Sequence, residues 1–193
     1  MHFALQTQAS GLPLNHLAPA SPSQPHLLRF VGIAFDEGGY EIDRLATMVK
    51  PISPTCRSSK IPEGAVDLYE RAKSEGIEPS DAFEWFMEKS RTANRIVGHD
   101  LSRHIQVMQI LGARLTGQIW TPACPLFCTM TGATPILNLA PRFEVLAAGR
   151  RDPRPPTVAE CVRHFFDEAM QLTGDPEADL EACIRVFHRL ASS

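Results

Sequence analysis

The chain lacks any long apolar run. No stretch approaches the roughly 20 consecutive apolar residues that a membrane-spanning helix needs, so we expect no membrane association of that kind. The first residues, Met1 to Leu5, contain no lysine or arginine, so we also expect no secretory signal peptide. Positive charge is not in excess, because 19 Lys and Arg face 22 Asp and Glu for a formal net charge of −3. This balance disfavours nonspecific nucleic-acid binding through net charge alone, although it is compatible with a local basic patch.

Cysteine is sparse and odd in number. The five cysteines are scattered at positions 56, 124, 128, 161 and 183. Without a predicted signal peptide, they indicate reduced thiols in a cytoplasmic protein. Cys124, Cys128, Cys161 and His164 could be combined into a zinc site, but the spacing of the first pair is atypical. Cys161 also falls on the apolar stripe of a predicted helix, so we expect these cysteines to pack in the core.

What is present favours a folded α/β protein. At 193 residues and 44% hydrophobic content, the chain has the size and composition of a single domain with a sizeable core, and we expect one domain over residues 1–193. Alternating and continuous apolar patterns predict strands at residues 2–8, 27–35, 40–49, 95–98 and 125–128. Helical patterns predict helices beginning near Pro62, Ser80, Leu101, Thr157 and Asp175. Early antiparallel strands followed by strand–helix alternation predict a central mixed sheet flanked by helices.

Local sequence signals define the helix ends and two loops. Thr157-x-x-Glu160 is a capping box, and Asp175 followed by Pro176 is typical of a helix start. Residues 13–26, the Pro-rich loop, contain four prolines and are expected to be extended or poorly ordered. Residues 142–156 carry four arginines and three prolines and are expected to form a surface loop; we refer to them as the 142–156 segment.

Three motifs occur in order along this framework. The first, FALQTQASGLP from Phe3 to Pro13, matches a strand that ends in Asp-x-Glu and continues into Thr-Gly-Leu. The second, VGHDLSRH from Val97 to His104, matches Val-x-His-Asn-x-x-Phe-Asp. The third, GDPEADL from Gly174 to Leu180, matches His-x-Ala-x-x-Asp-Ala. Shorter matches are Val49-Lys50-Pro51, Ile61-Pro62 and Phe127-Cys128-Thr129-Met130. Together they resemble the DEDDh family of DnaQ-like 3′–5′ exonucleases over nearly the whole chain, which implies a ribonuclease-H-like exonuclease fold.

The resemblance also implies a site that is altered here. The family holds two Mg²⁺ or Mn²⁺ ions with converging carboxylates and uses a histidine as general base. In this chain Gln6 and Gln8 stand at the positions of the first Asp and Glu, His104 replaces an Asp, and Gly174 replaces the His. Asp179 alone keeps its carboxylate. Because Mg²⁺ prefers anionic oxygen, the resemblance predicts no bound cofactor, with a metal at Asp179 only if anywhere.

Other interpretations of the same residues stay open. Asp100 could reach inward, His99 or His104 could act as a base, and a softer cation such as Mn²⁺ or Zn²⁺ could use His104 with Asp179. Equally, Asp100 could cap the helix that begins at Leu101, and His99 could be structural. An acid at Asp179 also favours the dipole of its helix without any metal.

These considerations predict a catalytically inactive exonuclease-fold protein that binds a nucleic-acid end or a protein partner. Loss of negative charge from the cleft removes repulsion of phosphates. The candidate nucleic-acid contacts are Gln6, Gln8, His99, Arg103, His104, Arg150 and Arg151. The alternatives are an active exonuclease with an atypical ligand set, and a regulatory or inhibitory protein–protein module without nucleic-acid affinity. We expect single-stranded nucleic acid or a protein as partner, and by analogy a homodimer is possible. The Pro-rich loop would lie at the mouth of the cleft.

Overall fold

A computed structural model describes residues 1–52, 63–170 and 174–192. In these residues a five-stranded sheet has the order β3-β2-β1-β4-β5. The strands are β1 (His2–Ala9), β2 (Leu27–Phe35), β3 (Glu41–Met48), β4 (Ile96–Gly98) and β5 (Leu126–Cys128). The first three strands are antiparallel, whereas β4 runs parallel to β1 and β5 parallel to β4. The predicted mixed sheet is confirmed, with strand bounds within a residue or so of those expected.

Helices cover both faces of this sheet. They are α1 (Val66–Glu75), α2 (Pro79–Thr92), α3 (Leu101–Thr116), α4 (Thr129–Leu137), α5 (Phe143–Ala147), α6 (Val158–Phe166) and α7 (Pro176–Ala191). On one face of β1, Phe3 and Leu5 belong to a buried cluster with side chains of α2 and α3. On the other face, Ala4 is buried with Leu180 and Cys183 of α7. Because side chains alternate along a strand, Gln6 and Gln8 share the face of Ala4 and therefore the side of α7.

The predicted starts of α6 and α7 are confirmed. The Thr157 hydroxyl accepts a hydrogen bond from the Glu160 amide, while the Glu160 carboxylate accepts one from the Thr157 amide. The Asp175 carboxylate accepts one from the amide of Glu177, with Pro176 in the first turn. These side chains satisfy helix-terminal N–H groups that have no partner inside the helix.

Three local expectations about helices need correction. The α2 helix begins at Pro79 rather than after a Ser80 cap, because proline has no N–H to satisfy and its fixed φ suits the first turn. The α4 helix was not predicted, since TMTGATPIL contains Gly132 and Pro135, both poor helix formers. It forms because its Ala133 packs among buried residues of α6 and α7. The 142–156 segment is not entirely a loop, since it contains α5.

The Pro-rich loop is folded back in turns rather than extended. Its buried Gln24 accepts a hydrogen bond from the Leu14 amide and donates to the Leu14 carbonyl, each at 2.9 Å. From α3, Arg114 donates to the carbonyls of Ser21, Gln24 and Pro25 at 2.6–2.9 Å. The loop is therefore ordered by these two polar side chains. Their hydrogen-bond partners cannot be recognised from a proline-rich composition, so the sequence did not predict this order.

Two further expectations concern composition. Cys161 and Cys183 are buried in the core, and burial raises the pKa of each thiol to about 12. Within residues 1–52, 63–170 and 174–192, no helix is long and apolar enough to span a bilayer. The shorter match at Ile61-Pro62, the predicted helix start at Pro62 and Cys56 lie outside the described residues.

Candidate functional site

A cleft of about 960 Å³ opens where β1 and β4 end. In α/β sheets, the crevice at the carboxyl ends of the strands is the usual place for a ligand. Five parts of the chain line it: the end of β1 with residues 9–13, the start of α1, the β4–α3 junction, α4 with the 142–156 segment, and α7. The predicted residues that it brings together are Gln6, Gln8, His99, Asp100, Arg103, His104 and Asp179.

The two glutamines present neutral amides to the cleft. The Gln8 side chain donates a long hydrogen bond of 3.5 Å to the carbonyl of Gly174. The side-chain amide of Gln6 has no hydrogen-bond partner among the described residues and is partly exposed. A side-chain amide carries two N–H donors and one carbonyl acceptor, so Gln6 is equipped to bind a polar ligand.

His104 is a structural residue here. It is only 4% exposed. Its Nδ1 accepts a hydrogen bond from the Thr7 amide at 3.1 Å and lies 2.9 Å from the Thr7 hydroxyl, while Nε2 donates to the His99 carbonyl at 3.0 Å. Burial, with a smaller contribution from Arg103, lowers the pKa of His104 to about 4. The imidazole is therefore neutral near pH 7, and neither nitrogen has a free lone pair for a cation or a proton transfer.

The position of His104 follows from the sheet. Strand β4 pairs with β1 only at Phe3 and Ala4, so β1 continues beyond the end of its parallel neighbour. The Thr7 amide points towards the side that β4 no longer covers. The His104 ring occupies this place and accepts the hydrogen bond that a longer strand would have provided.

His99 links the sheet to the 142–156 segment. Its Nε2 donates to the Pro156 carbonyl at 2.9 Å, and its Nδ1 lies 3.0 Å from the Thr129 hydroxyl. That hydroxyl also lies 3.3 Å from the buried Cys183 sulfur. Burial lowers the pKa of His99, against the opposing effect of the Asp100 and Asp179 carboxylates. The neutral ring positions one wall of the cleft.

Asp100 does not cap α3. Its backbone is left-handed, with φ 55° and ψ 44°, and its side chain forms no capping hydrogen bond. The extended backbone typical of a capping residue is missing, so the carboxylate does not reach the first amides of the helix. It lies 3.2 Å from Nε of Arg103 instead. Asp100 therefore occupies the N-cap position of α3, but the side-chain capping that the sequence left open is absent.

Asp179 lies in the first turns of α7 and lines the cleft. Within the described ranges, its carboxylate has no hydrogen-bond or ion-pair partner. The beginning of α7 is fixed by arginines from the sheet, since Arg29 contacts Asp175 and Glu177, and Arg44 contacts Glu177 at 3.4 Å. These pairs hold the turn that carries Asp179 against β2 and β3.

Gly174 has a left-handed backbone, with φ 70°, and is exposed. Among the described residues, no atom lies within 4 Å of the place where a Cβ would be. A histidine at this position would have room but would be strained, at a cost of about 1 kcal/mol, because residues with a Cβ rarely adopt this conformation.

The charges on the cleft wall are balanced. The acids Asp100 and Asp179 face the bases Arg103 and Arg142. The two cleft histidines have lowered pKa values and are therefore neutral near pH 7. No group of three or more His, Cys, Asp or Glu suited to a metal occurs in the part of the chain that the structure describes.

The structure changes which arginines and apolar residues belong to the cleft. Arg142 lines it, although the sequence placed this residue only in a surface loop. Arg150 and Arg151 are exposed and do not line it, so their role in binding stays a prediction. Leu12, 68% exposed, and Met130 add apolar surface. The position of Leu12 directly after β1 was the sequence signal that could have identified it.

Comparisons with known proteins identify the fold. No family model and no curated protein matches the chain. Among solved structures, E. coli exonuclease I in complex with a dT13 oligonucleotide matches 97% of this chain with a TM-score of 0.65 and 14% identity. The same enzyme with a dA16 oligonucleotide matches 99% with a TM-score of 0.66 and 13% identity. Its zinc-ion-bound complex with single-stranded DNA matches 99% of this chain with a TM-score of 0.66 and 12% identity.

The chain spans 40% of the length of these exonuclease I chains. At such identities the likeness establishes the fold and nothing about activity. The expected α/β, ribonuclease-H-like exonuclease fold is therefore confirmed. The cleft described above is the part of this fold from which a function can be argued.

Proposed function

We propose that this chain binds the end of a single-stranded nucleic acid in the cleft and does not hydrolyse it by a two-metal mechanism. The observation that carries the proposal is the floor of the cleft. There, two neutral amides and a buried, fully bonded histidine lie beside the carboxylate of Asp179, which has no partner among the described residues.

The chemistry of hydrolysis argues against cutting. Two divalent cations about 4 Å apart must be neutralised by several carboxylates, because their mutual repulsion is large at that distance. Gln6 and Gln8 supply no charge, and both nitrogens of His104 are engaged in hydrogen bonds. Gly174 supplies no side chain to activate water.

The same residues suit the binding of a phosphate backbone. Amide N–H groups donate hydrogen bonds to phosphate oxygens, and guanidinium groups add charge-assisted ones. Gln6, Arg103 and Arg142 all line the cleft. Leu12 and Met130 give a base an apolar surface to contact. The neighbouring exonuclease I structures are described as complexes with single-stranded oligonucleotides, which supports this class of ligand.

A second candidate is an active exonuclease with an atypical ligand set. One observation favours it: Asp100 and Asp179 both line the cleft, so two carboxylates remain available to a cation. The pairing of Asp100 with Arg103 opposes this function, because the guanidinium already neutralises that carboxylate.

The binding test uses fluorescence anisotropy with a labelled single-stranded oligonucleotide in EDTA over a range of salt concentrations. We expect binding that weakens as salt rises, and a loss of about tenfold in affinity for Arg103→Ala. The matched control is Arg91→Ala, an exposed arginine in the last turn of α2 outside the cleft, which should not change affinity. A covalently closed circle of the same sequence should compete poorly, because it has no end.

A gel assay with Mg²⁺ or Mn²⁺ separates the two candidates. Intact oligonucleotide at all times is the expected result. Shortening that stops in Asp179→Asn would establish the atypical exonuclease. Absence of binding in EDTA and in either metal would refute both candidates.

A further inference from the structure

The 142–156 segment exposes an aromatic ring beside the cleft. Phe143 is 80% exposed, and Leu146, on the same short helix α5, is 49% exposed. Because the Phe143 ring remains in water, burial of its apolar surface does not stabilise the fold of this chain. The neighbouring residue Arg142 lines the cleft, so the ring lies directly next to the cleft wall along the chain.

The C-terminal end of this segment is tied to the rest of the protein. The Arg154 amide donates to the Leu139 carbonyl at 3.2 Å, and the Arg154 guanidinium pairs with the Glu160 carboxylate. Next to it, the Pro156 carbonyl accepts the hydrogen bond from His99. α5 is therefore presented at a defined place on the cleft rim.

The segment has an excess of positive charge in a chain of negative net charge. It carries four arginines against the two acids Glu144 and Asp152. Arg150 contacts Asp152 at 2.8 Å, whereas Arg151 is exposed and has no acidic partner among the described residues. An exposed aromatic ring interleaved with arginines is complementary to a flexible, negatively charged strand with stacking bases, and less so to an apolar protein surface.

We propose that α5 and the exposed Arg151 of the 142–156 segment form a second contact zone for the same single strand, next to the cleft wall that Arg142 lines. Phe143 stacks on a base that has left the cleft, Arg142 contacts a phosphate at the cleft edge, and Arg151 contacts a phosphate beyond it. This inference rests on the proposed function, because it extends the path of a strand whose end lies in the cleft. It assigns a role to Phe143, a residue that no sequence motif singled out.

Oligonucleotide length separates the two zones. A strand of about three nucleotides reaches only the cleft, whereas one of about twelve nucleotides extends past α5, within the range of known single-strand sites. We expect Phe143→Ala to lower affinity for the longer strand about tenfold, since stacking on an aromatic ring is worth that much. Affinity for the shorter strand should not change.

Matched controls exclude general effects. Tyr40→Ala removes a ring that is 76% exposed in the β2–β3 turn. This turn follows Phe35, which pairs with His2, so it lies at the opposite end of β1 from the cleft. Tyr40→Ala should leave both affinities unchanged. Arg151→Gln should lower the slope of log affinity against log salt by about one for the longer strand only. Thermal melting of each variant checks that these surface changes leave the fold intact.

Each outcome has a distinct meaning. If Phe143→Ala binds both strands like the unchanged chain, the second zone is refuted while the cleft proposal stands. If the short strand does not bind at all, the proposed function fails. If Phe143→Ala abolishes self-association in sedimentation velocity and leaves oligonucleotide affinity unchanged, the surface serves a second copy of the chain, and the inference is overturned.

Discussion

His104 shows how one side chain alters the chemistry of a cleft without being exposed in it. An aspartate at this position would bring charge. The imidazole instead holds the Thr7 amide and the His99 carbonyl together and stays neutral, because burial lowers its pKa to about 4. Thr7 lies between Gln6 and Gln8, so the histidine fixes the backbone that presents both amides.

This burial predicts a loss of stability in mild acid. The unfolded chain binds a proton at His104 near its ordinary pKa of 6.5, whereas the folded chain does so only near pH 4. The free energy of unfolding is therefore not reduced by His104 above pH 6.5. As pH falls from 6.5 to 4, protonation of this residue in the unfolded chain lowers it by up to about 3 kcal/mol. His26, whose pKa burial and Arg114 also lower to about 4, acts in the same window.

Urea unfolding between pH 7 and pH 4 measures the effect. His104→Asn keeps an acceptor for the Thr7 amide and does not titrate, so its free energy of unfolding should fall less steeply with acid than that of the unchanged chain. The exposed His16→Asn is the control and should follow the unchanged chain. Parallel curves for His104→Asn and the unchanged chain would contradict the buried, neutral state.

Gln6 and Gln8 allow the metal site to be tested by addition. Gln6→Asp combined with Gln8→Glu places two new carboxylates in the cleft with Asp179, and we expect calorimetry to detect Mn²⁺ binding that the unchanged chain lacks. Gln106→Glu with Gln118→Asp adds the same charge outside the cleft and should bind no Mn²⁺. Equal Mn²⁺ binding by both double variants would show that the cleft has no special geometry for a cation.

At the scale of elements, the start of α7 connects the sheet to the cleft. Asp175 caps the helix and also contacts Arg29, while Glu177 contacts Arg29 and Arg44. Buried Leu180 and Phe187 hold the rest of the helix against the sheet, so the cap affects mainly the first turns.

We therefore expect Asp175→Ala to lower the free energy of unfolding by about 1 kcal/mol, the usual value of a lost cap. Chemical denaturation measures this difference. Because the first turns carry Asp179, oligonucleotide affinity should also change in this variant. Asp152→Ala, which removes an exposed acid that caps no helix, should change stability little. A loss of the same size in Asp152→Ala would mean that the cap is not the cause.

For the whole molecule, ligand-linked stability distinguishes binding from metal-dependent chemistry. A ligand that binds only the folded state stabilises it by about 2.7 kcal/mol at a hundredfold excess over its dissociation constant. We expect single-stranded oligonucleotide in EDTA to raise the melting temperature, and millimolar Mg²⁺ alone to leave it unchanged. A rise with Mg²⁺ that disappears in Asp179→Asn would locate a functioning metal site and contradict the proposed function.

Much of the architecture could be predicted because it is encoded locally. Leu27–Phe35 is an apolar run interrupted by Arg29 and followed by a glycine-containing turn, and both features depend on neighbouring residues alone. The caps at Thr157 and Asp175 are equally local. The α4 helix and the folded Pro-rich loop were missed because Ala133 and Gln24 act through partners that lie outside any local sequence window.

The amino-acid sequence by itself determined that positions 6 and 8 would bring no charge to the cleft, since an amide at Gln6 or Gln8 has no ionisable group in any environment. It also determined, through period and motif order, which strand would carry them. Only the tertiary structure decided that His104 is buried and fully bonded, that Arg142 reaches the cleft, and that Phe143 is exposed on its rim. Burial and hydrogen bonding depend on residues far apart in the chain: His104 and Thr7 are 97 positions apart and meet only because β1 extends past the end of β4.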